Sequence, residues 1–221
     1  MPGSTTAGST TAGTKPARPG AEKWVPASAD VESLARAVHD CRGCELWGPA
    51  TQAVFSSGPA DAALVLVGEQ PGDREDREGE PFVGPAGRVL ADALHAADLD
   101  PDEVYLTNAV KHFRFTERGK RRLHKTPDVA HIRACVPWLE AELAAVRPRV
   151  VVALGATAGR AVLGRPVRIG AERGQLLDGE PHDVLITTHP SALLRLRDRA
   201  EFGATFDAFV ADLRTAADAA A

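Results

Sequence analysis

The sequence predicts an α/β protein, a three-layer α/β/α sandwich with a central four-stranded parallel sheet. Four short apolar runs rich in β-branched residues predict the strands, and helical patterns lie between them. Runs that are apolar throughout, without polar alternation, are typical of strands buried on both faces of a sheet. The alternation of strand and helix indicates parallel strands joined by right-handed crossovers. With 221 residues, the chain is long enough to bury one substantial core.

Each element has its own local signal. Residues 1–23 repeat the segment STTAG and carry no apolar material to fold on, so they predict a disordered tail ahead of a domain at residues 24–221. Apolar residues at helical spacing predict a first helix over residues 30–39, with Asp30 or Ser28 as its N-cap. The predicted strands are 63–67, 104–107, 150–154 and 184–187. The later predicted helices are 86–97, 128–146, 156–163 and 199–218.

The composition is ordinary for a globular protein in water, with 44% hydrophobic and 25% charged residues. No apolar run reaches the 18 or more residues of a membrane span, and the N-terminus lacks the apolar region of a signal peptide. We therefore expect a cytoplasmic monomer with no membrane partner. Three cysteines are too few, and too odd a number, for a disulfide framework, which favours a metal site or buried thiols.

The net charge of −4 is distributed unevenly along the chain. One short stretch holds seven basic side chains and a single acid, Glu117. Its basic residues are Lys111, Arg114, Arg118, Lys120, Arg121, Arg122 and Lys125. Concentrated positive charge on an acidic body predicts a surface for nucleic-acid phosphates. The alternative is a solvated charged loop.

Polar and glycine-rich segments follow three of the predicted strands. A turn at Gly68–Gly72 follows the first strand, Asn108 ends the second, and His189 follows the fourth. The turn has the spacing of neither a phosphate-binding P-loop nor a dinucleotide-binding fold. Because ligands of parallel sheets bind at the carboxyl ends of the strands, these residues predict one shared site. Taken singly, each could instead have a structural role.

These segments resemble, in order, the motifs of family 4 uracil-DNA glycosylases. The matching runs are Gly-Glu-x-Pro-Gly-x-x-Glu-Asp, Pro-Phe-Val-Gly, Thr-Asn-Ala-Val-Lys and His-Pro-Ser-x-Leu-Leu-Arg. The resemblance extends over roughly residues 41–215. It implies a DNA-repair enzyme that flips uracil out of DNA, with single strands preferred, and cleaves its N-glycosidic bond.

The resemblance also assigns roles to individual residues. Phe82 would stack on the uracil ring, and Asn108 would read its Watson–Crick edge. His189 and backbone amides near Gln70, after the glycine turn at Gly68, would stabilise the negative charge that develops on the departing base. The resemblance and the basic stretch together assign DNA contacts to Lys120, Arg121, Arg122, Ser191 and Arg195.

The cysteines match positions where this family holds a 4Fe-4S cluster. Cys41, Cys44 and Cys135 occupy three of the four ligand positions, and His112 occupies the fourth, where typical members have cysteine. Histidine is a known ligand of iron in Rieske centres, so the resemblance implies a cluster with three thiolates and one imidazole. A zinc site with the same ligands and simple buried thiols are the alternatives.

The segment Lys120–His124 departs from typical family 4 members. Its sequence, Lys-Arg-Arg-Leu-His, resembles the signature of the UdgX type, in which the histidine attacks the sugar carbon and stays bonded to it. The resemblance therefore implies that His124 is the nucleophile and that Glu69 orients it and stabilises the cationic sugar. A conventional glycosylase that uses water, and a non-catalytic, cluster-bearing DNA-binding module, are the alternatives.

Overall fold

The computed structural model describes residues 18–221. The greater part of the predicted disordered tail, residues 1–17, lies outside this range. The remainder of that predicted tail packs against the domain: Ala21 is fully buried, and the Arg18 guanidinium binds the carboxylate of Glu45. The folded part of the chain therefore begins before residue 24.

The described residues form seven strands and eight α-helices, and helices connect the successive parallel strands β1, β2, β5 and β7. The strands are β1 (Leu64–Gly68), β2 (Tyr105–Asn108), β3 (Phe115–Arg118), β4 (Arg121–His124), β5 (Val150–Leu154), β6 (Leu176–Leu177) and β7 (Asp183–Thr187). The helices are α1 (Val31–Ala37), α2 (Asp73–Glu78), α3 (Pro85–Ala96), α4 (Val129–Val146), α5 (Gly155–Leu163), α6 (Ile169–Glu172), α7 (Pro190–Leu193) and α8 (Arg199–Ala220). These bounds lie close to those predicted for the four main strands and for the long helices.

The main sheet has the strand order β2-β1-β5-β7-β6. The first four strands are parallel, and the two-residue strand β6 adds an antiparallel edge that the sequence did not predict. The chain runs outward from β1 to β2 and then returns past β1 to β5. The order of the strands thus reverses between β1 and β5, and parallel sheets bind ligands at such a switch point.

Two apolar cores lie on opposite faces of this sheet. Alternate residues of β1 divide between them: Val65 and Val67 belong to the core beneath α1, α4 and α5, whereas Leu64 and Leu66 belong to the core beneath α3 and α8. Successive side chains of a strand point to opposite faces, which is why a continuous apolar run suits a covered sheet. The predicted three-layer α/β/α fold is confirmed.

Helix ends follow the local signals of the sequence. Asp30 caps α1 by accepting the Ser33 amide hydrogen, and Asp128 caps α4 in a capping box with His131. The helix α4 ends at Val146 and is followed by Arg147, which adopts a left-handed conformation ahead of Pro148. Across residues 18–221, none of the helices combines the length and the apolarity that a membrane crossing requires.

The basic stretch forms a β-hairpin, which the sequence did not predict. Strands β3 and β4 pair antiparallel around a two-residue turn that begins at Gly119 with φ +62°. Glycine at this first position is typical of tight hairpin turns. Directly opposite residues share a face, so the register places His124 with Phe115 on one side, and Arg121 with Arg118 on the other. The side chains of His124, the predicted nucleophile, and of Arg121 therefore lie on opposite faces of the hairpin.

Candidate active site

The carboxyl ends of four adjacent strands form the candidate active site. Asn108 ends β2, Glu69 follows β1, the first turn of α5 follows β5, and His189 follows β7. The hairpin β3–β4 closes this edge by bringing His124 to Glu69. The structure thus brings together the residues that the sequence predicted for catalysis and base recognition.

The two side chains predicted to recognise the base, those of Asn108 and Phe82, both lie against Gly68. A Cβ atom at Gly68 would lie 2.4 Å from Oδ1 of Asn108 and 2.7 Å from Cζ of Phe82, so a larger residue would displace the ends of these side chains. Phe82 itself has φ +59°, a conformation that is uncommon for a bulky residue. Strained backbone of this kind concentrates at functional sites, where surrounding structure enforces it. Here the Gly84 amide donates to buried Glu75 at 2.9 Å and fixes the loop that carries Phe82.

The Asn108 side chain lies beside Gly68, as does the ring of Phe82. Asn108 is 3% exposed, and its backbone oxygen accepts a hydrogen bond from the ammonium of Lys111 at 2.9 Å. A side-chain amide carries both donors and an acceptor, so one placed near an aromatic ring is suited to the edge of a planar base.

Glu69 and His124 face each other across the site. Nε2 of His124 lies 3.3 Å from Oε1 of Glu69, while Oε2 accepts a hydrogen bond from the Thr157 hydroxyl at 2.6 Å. Burial acts to raise the pKa of Glu69, but the contacts with His124 and Thr157 outweigh it and hold that pKa below its ordinary value. The carboxylate is therefore ionised at neutral pH, next to an imidazole that is 45% exposed on its side chain.

His189 is held as a neutral hydrogen-bond donor. Its Nδ1 accepts the backbone N–H of Ser191 at 3.1 Å, so the proton of the neutral ring must be on Nε2. Burial lowers the pKa of His189 to about 4, against the opposing effect of Glu69. At Gly155, which has φ +89°, a Cβ atom would lie 3.0 Å from Cβ of His189, so the chain passes close to the ring here.

Two side chains anchor the hairpin to the domain. The buried Gln70 amide donates to the carbonyls of Arg114 and Lys125, and its Oε1 accepts the Arg114 amide, so that it joins both ends of the hairpin. Arg122 binds Asp73 at 2.5 Å and Asp76 at 2.6 Å. Both anchors lie on the inner side of the hairpin and fix the position of His124.

Arg122, which the sequence predicted as a DNA contact, is mostly buried against the domain. Its side chain is 13% exposed, and its guanidinium lies over the ring of Phe115, with 5.0 Å to the ring centroid. The two carboxylates of α2 neutralise its charge. The reason lies in the strand register, because Arg122 points inward where its neighbour Arg121 points outward.

Other predicted DNA contacts remain at the surface. Lys120 and Arg121 are exposed at the hairpin tip, and Arg195 is exposed just beyond α7. Ser191 is partly buried, and its hydroxyl and amide both contact Nδ1 of His189. Ser191 therefore orients the ring of His189, in addition to its predicted contact with DNA.

The three cysteines are buried in the core beneath α1, α4 and α5. Each is 5–6% exposed, and N–H groups point at their sulfurs: Trp138 Nε1 lies 3.2 Å from Sγ of Cys41, and the Lys111 amide lies 3.3 Å from Sγ of Cys135. Burial raises the pKa of Cys44 to about 11 and that of Cys135 to about 12. Without a cation these thiols stay protonated at neutral pH, so a bound metal would have to displace their protons.

His112 is buried next to Lys111, whose amide contacts Cys135. Burial lowers the pKa of His112 to about 4, so its ring is neutral and could donate a lone pair to a metal. Within residues 18–221, however, no three side chains among histidine, cysteine, aspartate and glutamate gather as ligands of one metal ion. The donor types suit a metal centre, while their spacing is not that of a single-ion site.

A separate groove of about 430 Å³ lies between α4 and α5. Its walls are mainly apolar and include Ile132, Val136 and Leu163, with Arg133 and Arg160 at the rim. The residues that line it do not include those at the strand ends. The strand ends remain the candidate active site, because the ionised carboxylate of Glu69, the neutral imidazole of His189 and the amide of Asn108 lie there.

Three functional side chains were not singled out from the sequence. Thr157 contacts Glu69, Glu75 fixes the loop of Phe82, and Asp73 binds Arg122. Glu75 was visible as part of a motif, and Thr157 stands three residues beyond a predicted strand. The position of Thr157 just after a predicted strand could have marked it as a site residue, since the residues after parallel strands line ligand sites.

The chain is similar to known proteins of one family. The family model of the uracil DNA glycosylase superfamily matches residues 55–214. A type-4 uracil-DNA glycosylase of Thermotoga maritima is 37% identical over 169 residues, which cover 76% of this chain and 84% of that protein. The type-4 enzyme of Archaeoglobus fulgidus is 32% identical over 185 residues, covering 80% and 89%. That of Pyrobaculum aerophilum is 30% identical over 174 residues, covering 75% and 85%.

Proposed function

From the premise that the chain belongs to the uracil-DNA glycosylase superfamily, we propose that it excises uracil from DNA and keeps the sugar as a covalent adduct on His124. The observation that carries the adduct is the placement of His124, whose Nε2 lies 3.3 Å from the ionised carboxylate of Glu69. At this distance, the imidazole of His124 and the carboxylate of Glu69 could both contact C1′ of the sugar when it becomes cationic.

Recognition begins with a uracil flipped out of the base stack. Phe82 would stack on its ring, while the Asn108 amide would offer both a donor and an acceptor to its edge. A single strand costs less to open than a duplex, so single-stranded DNA is the proposed preferred substrate. Lys120, Arg121 and Arg195 would hold its phosphates.

Departure of the base requires stabilisation of negative charge. The Nε2–H of His189 would donate to a uracil oxygen, and amides near Gln70 would add to this stabilisation. A neutral donor suits this step, because it can stabilise the anion without first transferring its proton. The low pKa of His189, about 4, keeps the ring neutral throughout the physiological range.

The covalent step exchanges one bond for another. The bond between C1′ and N1 of uracil breaks, and its electron pair leaves with the base. The Glu69 carboxylate stabilises the cationic sugar until a lone pair of the His124 imidazole forms the new bond to C1′. The displaced imidazole proton passes through solvent to the uracil anion, so the products are neutral uracil and a histidine-linked sugar.

The proposed cofactor is a 4Fe-4S cluster held by Cys41, Cys44, His112 and Cys135. We favour a cluster over zinc because, among the described residues, these donors do not gather around one point, as the ligands of a single zinc ion would have to. The N–H groups directed at Cys41 and Cys135 resemble those that tune cluster sulfurs. The cluster would supply a structural link between the N-terminal segment and β2, and no catalytic step requires it.

We expect protein purified without oxygen to be brown and to hold about four irons per chain. Cys135→Ala should lose the iron and with it much stability, because metal binding contributes directly to folding. His112→Cys should retain iron, since thiolate replaces imidazole, whereas His112→Ala should lose it. Iron and zinc are measured together by elemental analysis. A colourless protein with one zinc per chain would contradict the cluster.

A denaturing gel with a labelled uracil-containing oligonucleotide tests the function. We expect a band of reduced mobility that survives heat and detergent, at about one adduct per protein molecule. Strand cleavage after alkali, with no such band, would show that water attacks and that the adduct proposal is wrong. Binding with neither outcome would indicate a non-catalytic DNA-binding module. The same oligonucleotide with thymine in place of uracil is the control.

A further inference from the structure

Thr157 is placed where it can control the carboxylate of Glu69. It is the third residue of α5, which follows β5 directly, and β5 lies beside β1 at the switch point of the sheet. Its hydroxyl donates to Oε2 of Glu69 at 2.6 Å, a short contact typical of a hydroxyl bound to a charged oxygen. The two residues are 88 positions apart in sequence, so only the fold brings them together.

We propose that Thr157 is a positioning residue that holds one oxygen of Glu69 and thereby aims the other at the sugar cation and His124. This inference rests on the proposed glycosylase reaction. With Oε2 bound to Thr157, the carboxylate cannot rotate freely, and Oε1 stays 3.3 Å from Nε2 of His124. Preorganised charge of this kind stabilises a transition state without reorganising during the reaction.

The hydroxyl also acts on the charge of Glu69. The charged groups that face this carboxylate are the imidazoles of His124, on β4, and of His189, after β7. Burial alone would raise the pKa of Glu69, and the Thr157 hydrogen bond is one of the contacts that lower it. Removing the hydroxyl should therefore raise this pKa. Because only ionised Glu69 stabilises a cation, the acidic limb of the pH–rate profile should move to higher pH.

Thr157→Val and Thr157→Ser make a matched pair for the test. Valine keeps the shape of threonine but has no hydroxyl, whereas serine keeps the hydroxyl. The rate of adduct formation or uracil release is measured over a range of pH, with protein in excess over a single-stranded uracil oligonucleotide. We expect Thr157→Val to be slower by about ten- to a hundredfold at neutral pH, with its acidic limb moved upward, since a hydrogen bond to a charged group is lost. Thr157→Ser should match the wild type.

A direct titration of Glu69 keeps the inference testable without activity. Carbon-13 NMR of the glutamate carboxyls should show a higher pKa for Glu69 in Thr157→Val than in the wild type and in Thr157→Ser. An inactive wild type would refute the proposed function, while the titration would still decide whether Thr157 controls the carboxylate. If the wild type reacts and Thr157→Val has the same rate, the same acidic limb and the same Glu69 pKa, the role of Thr157 is refuted alone.

Discussion

Replacing His124 with serine is expected to abolish the covalent adduct completely and to turn the protein into a glycosylase with turnover. Bond cleavage runs ahead of nucleophile attack in an oxocarbenium-like reaction. The base can therefore still leave, because Asn108, His189 and Glu69 are untouched. Serine is small, so a water molecule can occupy the vacated space and complete the reaction at C1′.

The measurement is a time course of adduct and of free uracil. Wild-type protein should give approximately one adduct per molecule and then stop, whereas His124→Ser should release several uracils per molecule. His95→Ser is the matched control, because His95 is another exposed histidine, on α3. It should form the adduct at the wild-type rate.

Peptide mapping decides where the bond lies. Digestion of the wild-type adduct followed by mass spectrometry should locate the sugar on the peptide that contains His124. A sugar on any other residue, or an undiminished adduct with His124→Ser, would falsify the mechanism. The contact between the His124 imidazole and Glu69, which the hairpin creates, would then need an explanation other than nucleophilic attack.

The main sheet could be predicted because its strands are buried on both faces. A fully covered strand such as β5 is apolar along its whole length, with all five residues buried, so the pattern is visible locally. The switch-point site could be anticipated for a related reason. The polar residues Asn108 and His189 stand at strand ends, and parallel strands bring such ends to one edge.

The hairpin and its inner contacts could not be predicted in the same way. Strands β3 and β4 are mostly exposed and highly charged, so they lack an apolar pattern that would distinguish them from a loop. The ion pairs of Arg122 could not be predicted for a similar reason. Its partners Asp73 and Asp76 lie 49 and 46 positions away, and a pairing over that distance depends on tertiary structure.

Breaking the buried ion pair Lys111–Glu142 is expected to cause a large loss of folding stability. Lys111 is 1% and Glu142 is 0% exposed, and their charged groups are in direct contact. The ammonium also donates to the Thr107 hydroxyl at 2.7 Å, and Glu142 accepts from Thr107 and from the Tyr105 hydroxyl. Such a pair contributes little relative to apolar residues, but removal of one partner leaves an uncompensated charge.

Lys111→Met should therefore lower the free energy of unfolding by roughly 3–5 kcal/mol. Burial raises the pKa of Glu142, and the ammonium of Lys111 opposes that rise. Without the ammonium, the folded-state pKa should rise further above the unfolded value of about 4.3. A group whose folded pKa is raised favours the folded state when protonated, and this contribution is lost as pH increases. The deficit should thus be larger at pH 8 than at pH 5.

Urea unfolding of three variants separates charge from packing. Lys125→Met, an exposed lysine of the same stretch, is the control and should change stability by less than about 0.5 kcal/mol. In Lys111→Met with Glu142→Gln both charges are absent, but an oxygen remains to accept from Thr107 and Tyr105. This double variant should regain most of the lost stability and should lose the difference between pH 5 and pH 8. If the double variant is as unstable as Lys111→Met, an uncompensated charge cannot explain the loss, because no buried charge remains. The loss of stability would then come from the missing contacts of the Lys111 side chain, such as its hydrogen bond to the Asn108 backbone oxygen.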